Sequence, residues 1–195
     1  MLQAIANIGT AFGLASSAGL NAYIPLLIVA IAARFPLDSP FLALAEPYDI
    51  LGSWWAIGIL SVLLIIEMTV DKIPAVDTIN DIIHTLVRPA AGAILFAANS
   101  NVISEIHPAL ALTAGLLVAG GVHAAKGTTR PLVTTTTGGT GNWFVSLLED
   151  IAAVFLSLVA ILLPIIAGFL TIGLLIFVLL LYQRYRQRKH KMAPT

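Results

Sequence analysis

The stretch EMTVDKIPAVDTINDIIHTLVRP, residues 67–89, gathers Glu67, Asp71, Lys72, Asp77, Asp81, His84 and Arg88 between long apolar segments. Ionisable side chains are expensive in hydrocarbon, so such a cluster reads as a candidate functional site. Glu67 and Asp71 stand at i, i+4, and Asp77, Asp81 and His84 at i, i+4, i+7. These spacings put each set on one helical face. The KIP turn between the sets predicts antiparallel neighbouring helices with converging carboxylates. Glu67, Asp71, Asp77, Asp81 and His84 would suit a divalent cation as cofactor, or a proton relay. The structural alternative is ion pairing with Lys72, Arg88, Lys126 and Arg130.

Outside this stretch charge is scarce. Of 195 residues, 58% are hydrophobic and 10% charged, and the mean hydropathy is +0.96. Soluble domains carry about 25% charged residues. A bilayer-crossing helix needs roughly 20 apolar residues, so this length holds about six spans and no separate soluble domain. The expected fold is therefore all-α, a polytopic membrane helix bundle forming one transmembrane domain over residues 1–183. A basic tail occupies residues 184–195. Formal net charge is zero, and no nucleic-acid partner is expected. The absence of cysteine excludes disulfides, thiolate chemistry and Cys-based zinc sites. The first residues, MLQAIANIG, lack the basic region of a secretory signal and read as the start of a retained span.

The first apolar run, Ala4 to Ala33, would be about 45 Å long as one helix, against a hydrocarbon core of roughly 30 Å. It contains SSAGLNAYIPLL, with Gly19, Asn21 and Pro25 close together. Proline lacks the backbone donor and disfavours helix at the preceding residue, so a kink or a broken first helix is expected here. Broken helices at membrane depth face protein or a wet cavity, and transporters use their free ends for binding. An acidic loop from Arg34 to Gly52 holds Asp38, Glu46 and Asp49. The second span is expected from Ser53 to Val70, entered through Trp54 and Trp55 as an interfacial belt. The third is expected from Asp77 to Asn99, the fourth from Ala109 to Ala125, the fifth from about Trp143, and the sixth from Ile165 to Tyr182.

Arg184, Arg186, Arg188, Lys189 and Lys191 mark the tail as cytoplasmic by the positive-inside rule. Six spans then place the N-terminus on the same side. The acidic loop falls outside, and the connections bearing Lys72, Lys126 and Arg130 fall inside. Proline-containing breaks in the rising spans, GLNAYIP and LVRPAAG, suggest hairpin repeats, as do the charge–proline ends EMTVDKIP and HAAKGTTRP.

Two further constellations carry polar chemistry. His123, Lys126 and Arg130 precede a Thr- and Gly-rich connection ending at Asn142, a candidate N-cap for the fifth span. Free N–H groups there, with Lys126 and Arg130 nearby, would favour an anion; a plain flexible loop is the alternative. Glu149 and Asp150 lie about two turns into the fifth span. Adjacent residues point about 100° apart on a helix, so at least one faces the interior, either as a coupling carboxylate or paired with Arg88 or Lys126. His107 and His190 are expected to be solvated. No serine-hydrolase elbow, HExxH, dinucleotide fingerprint or Walker motif is present.

The combination GLNAYIPLL, E-x3-DKIP-x2-D-x3-D, RPAAG, H-x2-K-x3-RP and GN-x6-ED resembles the domain of unknown function 4126 family of bacterial integral membrane proteins, over about residues 5 to 165. The resemblance implies a small polytopic protein of the bacterial inner membrane and supplies no activity. On the residues alone, the leading expectation is a transporter or channel for an ion or small charged solute. Asn21 would mark the broken helix. Glu67, Asp71, Asp77, Asp81 and Glu149 would line the pathway, while Lys72, Arg88, Lys126 and Arg130 would tune charge. A metal-dependent enzyme acting on a phosphorylated lipid and a membrane scaffold subunit are the alternatives. The expected partners are the lipid bilayer and the ion or solute, with homo-oligomerisation left open.

Overall fold

The computed structural model describes residues 2–36, 38, 41–70, 74–99 and 107–171, with 173, 176, 177, 180 and 183, and gives backbone only at 2–4, 74–81, 129 and 130. The elements are helical: α1 (Leu2–Leu20), α2 (Tyr23–Arg34), a 3-10 turn (Tyr48–Gly52), α3 (Trp54–Val70), α4 (Pro74–Ala98), α5 (Pro108–Thr137) and α6 (Thr140–Leu162). A further helical stretch covers 164–171. Among the described residues, the one isolated β-bridge joins Leu44 to Asn99 and ties the loop after α2 to the end of α4. By length and composition, α5 and α6 are each long and apolar enough to cross a bilayer.

The first apolar run is broken within SSAGLNAYIPLL, as its sequence predicts. The break falls at Asn21–Ala22, and Pro25 lies in the first turn of α2. Proline is tolerated there because the first-turn N–H groups have no intrahelical acceptor. The Asn21 Oδ1 accepts the N–H groups of Tyr23 at 3.0 Å and Ile24 at 3.1 Å, which starts α2 afresh. The comparable LVRPAAG segment does not break: α4 continues through Pro89.

The expected Thr- and Gly-rich loop is mostly helix. α5 runs to Thr137, well past the expected end at Ala125. Its threonines return their hydroxyls to carbonyls one turn back, Thr136 to Leu132 at 2.8 Å and Thr137 to Val133 at 2.7 Å. Self-satisfied hydroxyls place no demand on the helix to open. Gly138 and Gly139 end it, with φ of 61° and 88°. Glycine enters this left-handed region without a Cβ clash.

Small residues set the core. α1 packs against α4, α5 and α6, through Ala11, Ala15, Ser17 and Ala18, each fully buried. α4 and α5 nearly touch at backbone level. A Cβ on Gly115 would lie 2.6 Å from Phe96 Cβ and 2.8 Å from Ala93 Cα. Hydroxyls tie α1 to α6: Thr10 Oγ1 donates to Ala160 O at 2.9 Å and Ser17 Oγ to Ala153 O at 2.8 Å. This packing holds the broken ends of α1 and α2 against α4, α5 and α6.

Candidate functional site: a buried charge belt at the helix break

Arg88 on α4 is 1% exposed and Glu67 on α3 is 2% exposed. A guanidinium cannot shed its charge, so burial demands a counter-ion. Glu67 supplies it: Arg88 Nη2 donates to Glu67 Oε1 at 3.2 Å. His84, one turn before Arg88 on α4, brings Nε2 to 3.4 Å from the same oxygen. The Tyr23 ring, in the first turn of α2, meets the His84 ring edge-on with centroids 5.7 Å apart.

Arg88 also reaches α5, where its Nη1 lies 3.3 Å from His123 Nδ1. Arginine only donates, so His123 Nδ1 must be the acceptor and the ring proton sits on Nε2. That nitrogen lies 3.3 Å from Thr85 Oγ1. The bond to Arg88 therefore fixes the His123 tautomer.

One turn further along α5, Lys126 Nζ pairs with Glu149 Oε2 of α6 at 2.6 Å and donates to the Leu20 carbonyl at 3.4 Å. Leu20 is the last residue of α1. At the next position Asn21 Nδ2 donates to Asp150 Oδ1 at 2.9 Å. Asn21 thus spends its amide on α6 and its carbonyl oxygen on α2. Both chains of contacts end at the break between α1 and α2, one on Tyr23 and the other on Leu20 and Asn21.

A model of the domain of unknown function DUF4126 matches residues 8–184. The chain belongs to that family. No curated protein and no solved structure matches it. The charge belt of this DUF4126 member involves all five motif segments named above: Asn21 in GLNAYIPLL, Glu67 before DKIP, Arg88 at the head of RPAAG, His123 and Lys126 before Arg130-Pro131, and Glu149-Asp150 after Gly141-Asn142.

Of the residues singled out in the sequence, the structure brings together Asn21, Glu67, His84, Arg88, His123, Lys126, Glu149 and Asp150. Asp71 and Lys72 lie outside the described residues, as do the side chains of Asp77, Asp81 and Arg130. Asn142 stands apart. It is not the N-cap of α6, a position held by Gly139, and its Oδ1 accepts from Thr134 Oγ1 at 3.1 Å across the turn. The Gly-Gly turn displaces the helix start two residues upstream of Asn142. Exposed His107 also does more than face solvent, since its Nδ1 accepts the Ala109 N–H at the start of α5. Among the described residues, no group of three or more His, Asp and Glu side chains is placed to hold a metal ion.

Sequence reasoning did not single out Tyr23, Thr85 or the Leu20 carbonyl. Tyr23 and Thr85 had a readable signal, lying next to Asn21–Ala22 and His84. The carbonyl had none, because backbone acceptors are exposed by a break and not by residue type.

Proposed function

We propose that this DUF4126 member is an integral membrane transporter or channel for an ion or small charged solute. Its pathway passes the charge belt at the break between α1 and α2. The observation carrying this reading is the convergence of Glu67–His84–Arg88–His123 and Lys126–Glu149 on that break. Ionisable groups at membrane depth are costly, and a free helix end among them gives a mobile ion alternative partners. The rest of the surface suits lipid: Trp55 is 84%, Leu86 78% and Phe169 73% exposed. Gly9, Gly13, Gly92 and Gly115 stand at close helix crossings, the small-residue packing that membrane helices use. In this reading about six spans, built as hairpin repeats, place both termini on the cytoplasmic side of the inner membrane.

The test is charge displacement across proteoliposomes after jumps in Na⁺, K⁺, H⁺ or phosphate concentration. The wild type gives a transient signal with at least one of these, and Glu149→Gln abolishes it while the protein remains folded and inserted. Silence of folded, inserted wild type toward all four ends this reading. A specific observation supports a scaffold as the second reading: Glu67 with Arg88 and Glu149 with Lys126 are neutralised pairs. A scaffold predicts that same silence together with a loss of stability on neutralising either pair.

A further inference from the structure

We propose that the Lys126 ammonium is a tethered occupant of a monovalent-cation site formed by the Leu20 carbonyl and the Glu149 carboxylate, and that the cargo is a monovalent cation exchanging with it. This inference rests on the transport reading and names its substrate class.

Three features of the pocket favour positive charge. The Leu20 carbonyl belongs to the last turn of α1, where unsatisfied carbonyls form the negative end of the helix dipole. Glu149 Oε2 lies 2.6 Å from Lys126 Nζ, and Leu20 O lies 3.4 Å from it. A second carboxylate, Asp150, is held next door by Asn21 Nδ2 at 2.9 Å. An anion entering here would face two carboxylates and a helix C-terminus, and would have to draw Lys126 away from Glu149. A cation meets oxygen ligands directly. Hard monovalent cations prefer carboxylate and carbonyl oxygen.

Exchange keeps the pocket's charge constant. Lys126 is 7% exposed and pairs one positive with one negative charge. If the ammonium swings out and a monovalent cation enters, Glu149 stays neutralised and no buried charge is left alone. A divalent cation would also have to draw on Asp150, whose Oδ1 is held by Asn21 Nδ2, and an anion in place of the ammonium would leave two uncompensated negative charges. The flexible four-carbon stem of lysine suits this movement, whereas arginine's rigid fork would not.

The test removes the tether. Lys126→Ala in detergent is heated in Na⁺, K⁺ or methylammonium chloride against N-methylglucamine chloride at equal ionic strength. The variant is destabilised in N-methylglucamine and recovers saturably with at least one small cation. At about 100 times the dissociation constant, the recovery is roughly 5–10 °C in Tm. Lys126→Ala/Glu149→Gln shows no recovery. Lys126→Met, which keeps the volume of the stem, is measured in parallel. In the wild type, Na⁺ or K⁺ raises amine-reactive labelling of Lys126 severalfold over N-methylglucamine.

Equal melting of both single variants in every salt, with unchanged wild-type labelling, overturns the site. So does recovery that persists when Glu149 is replaced. Cation recovery without charge displacement retains the site and ends the transport reading. Charge displacement without recovery or labelling change retains transport and ends the site.

Discussion

Glu67 and Arg88 show how much one buried pair constrains its neighbours. The described partners of Arg88 are Glu67 Oε1 and His123 Nδ1. Glu67→Gln removes the neutralising carboxylate and strands the guanidinium. The expected cost is about 3–5 kcal/mol, the range for breaking a buried pair from one side. Replacing both partners, as Glu67→Leu/Arg88→Met, costs less than Glu67→Gln alone, because no charge is then left buried. Denaturant unfolding of the three proteins in detergent checks this. A double variant weaker than Glu67→Gln would show that the pair contributes net stability beyond mutual neutralisation. His123 depends on the same arginine, since the bond from Arg88 leaves Nε2 as its protonated nitrogen.

At the scale of helices, glycine does two opposite things on one element. Gly115 of α5 meets α4 so closely that any Cβ must displace Phe96 or Ala93, whereas a Cβ at Gly121 on the same helix meets nothing within 4 Å. Gly115→Val is expected to cost about 1–3 kcal/mol or more through overpacking. Gly121→Ala is expected to be neutral or to stabilise by up to about 1 kcal/mol through helix propensity. The paired measurement of thermal unfolding decides it, and equal effects would remove the α4–α5 crossing as the cause. Gly138 and Gly139 form a third case, set by backbone conformation. With φ of 61° and 88°, each substitution to Ala is expected to cost about 1–2 kcal/mol. That loss should be seen in the same melts, and alanine variants as stable as wild type would reject a conformational role.

For the whole molecule, the proposed orientation rests on charge asymmetry, and the absence of cysteine makes it convenient to test. Asp49 lies in the acidic loop and Thr137 at the end of α5. With six spans and cytoplasmic termini, Asp49→Cys reacts with a membrane-impermeant thiol reagent in intact spheroplasts. Thr137→Cys reacts only after permeabilisation. Labelling of both from one side would overturn this topology.

The sequence by itself determined the helical class, the break in the first apolar run and the polar identity of most of the belt. Hydrophobic run length, proline and the scarcity of charge are local properties of the chain, and Asn21, Glu67, His84, Arg88, Lys126 and Glu149 stand out against so apolar a background. The sequence placed the break within SSAGLNAYIPLL without choosing between Asn21 and Pro25, and turned the threonines after Lys126 into a loop. Residue type records a missing N–H or a hydroxyl, but not whether the first turn tolerates the one or the helix absorbs the other. Only the tertiary structure decided the pairing, with Glu67 on Arg88, Glu149 on Lys126 and Asp150 on Asn21. Lys126 and Glu149 are brought together by the packing of α5 on α6, and Lys126 meets the Leu20 carbonyl because small residues let α1 approach so closely. No spacing along one chain encodes such a distance between helices.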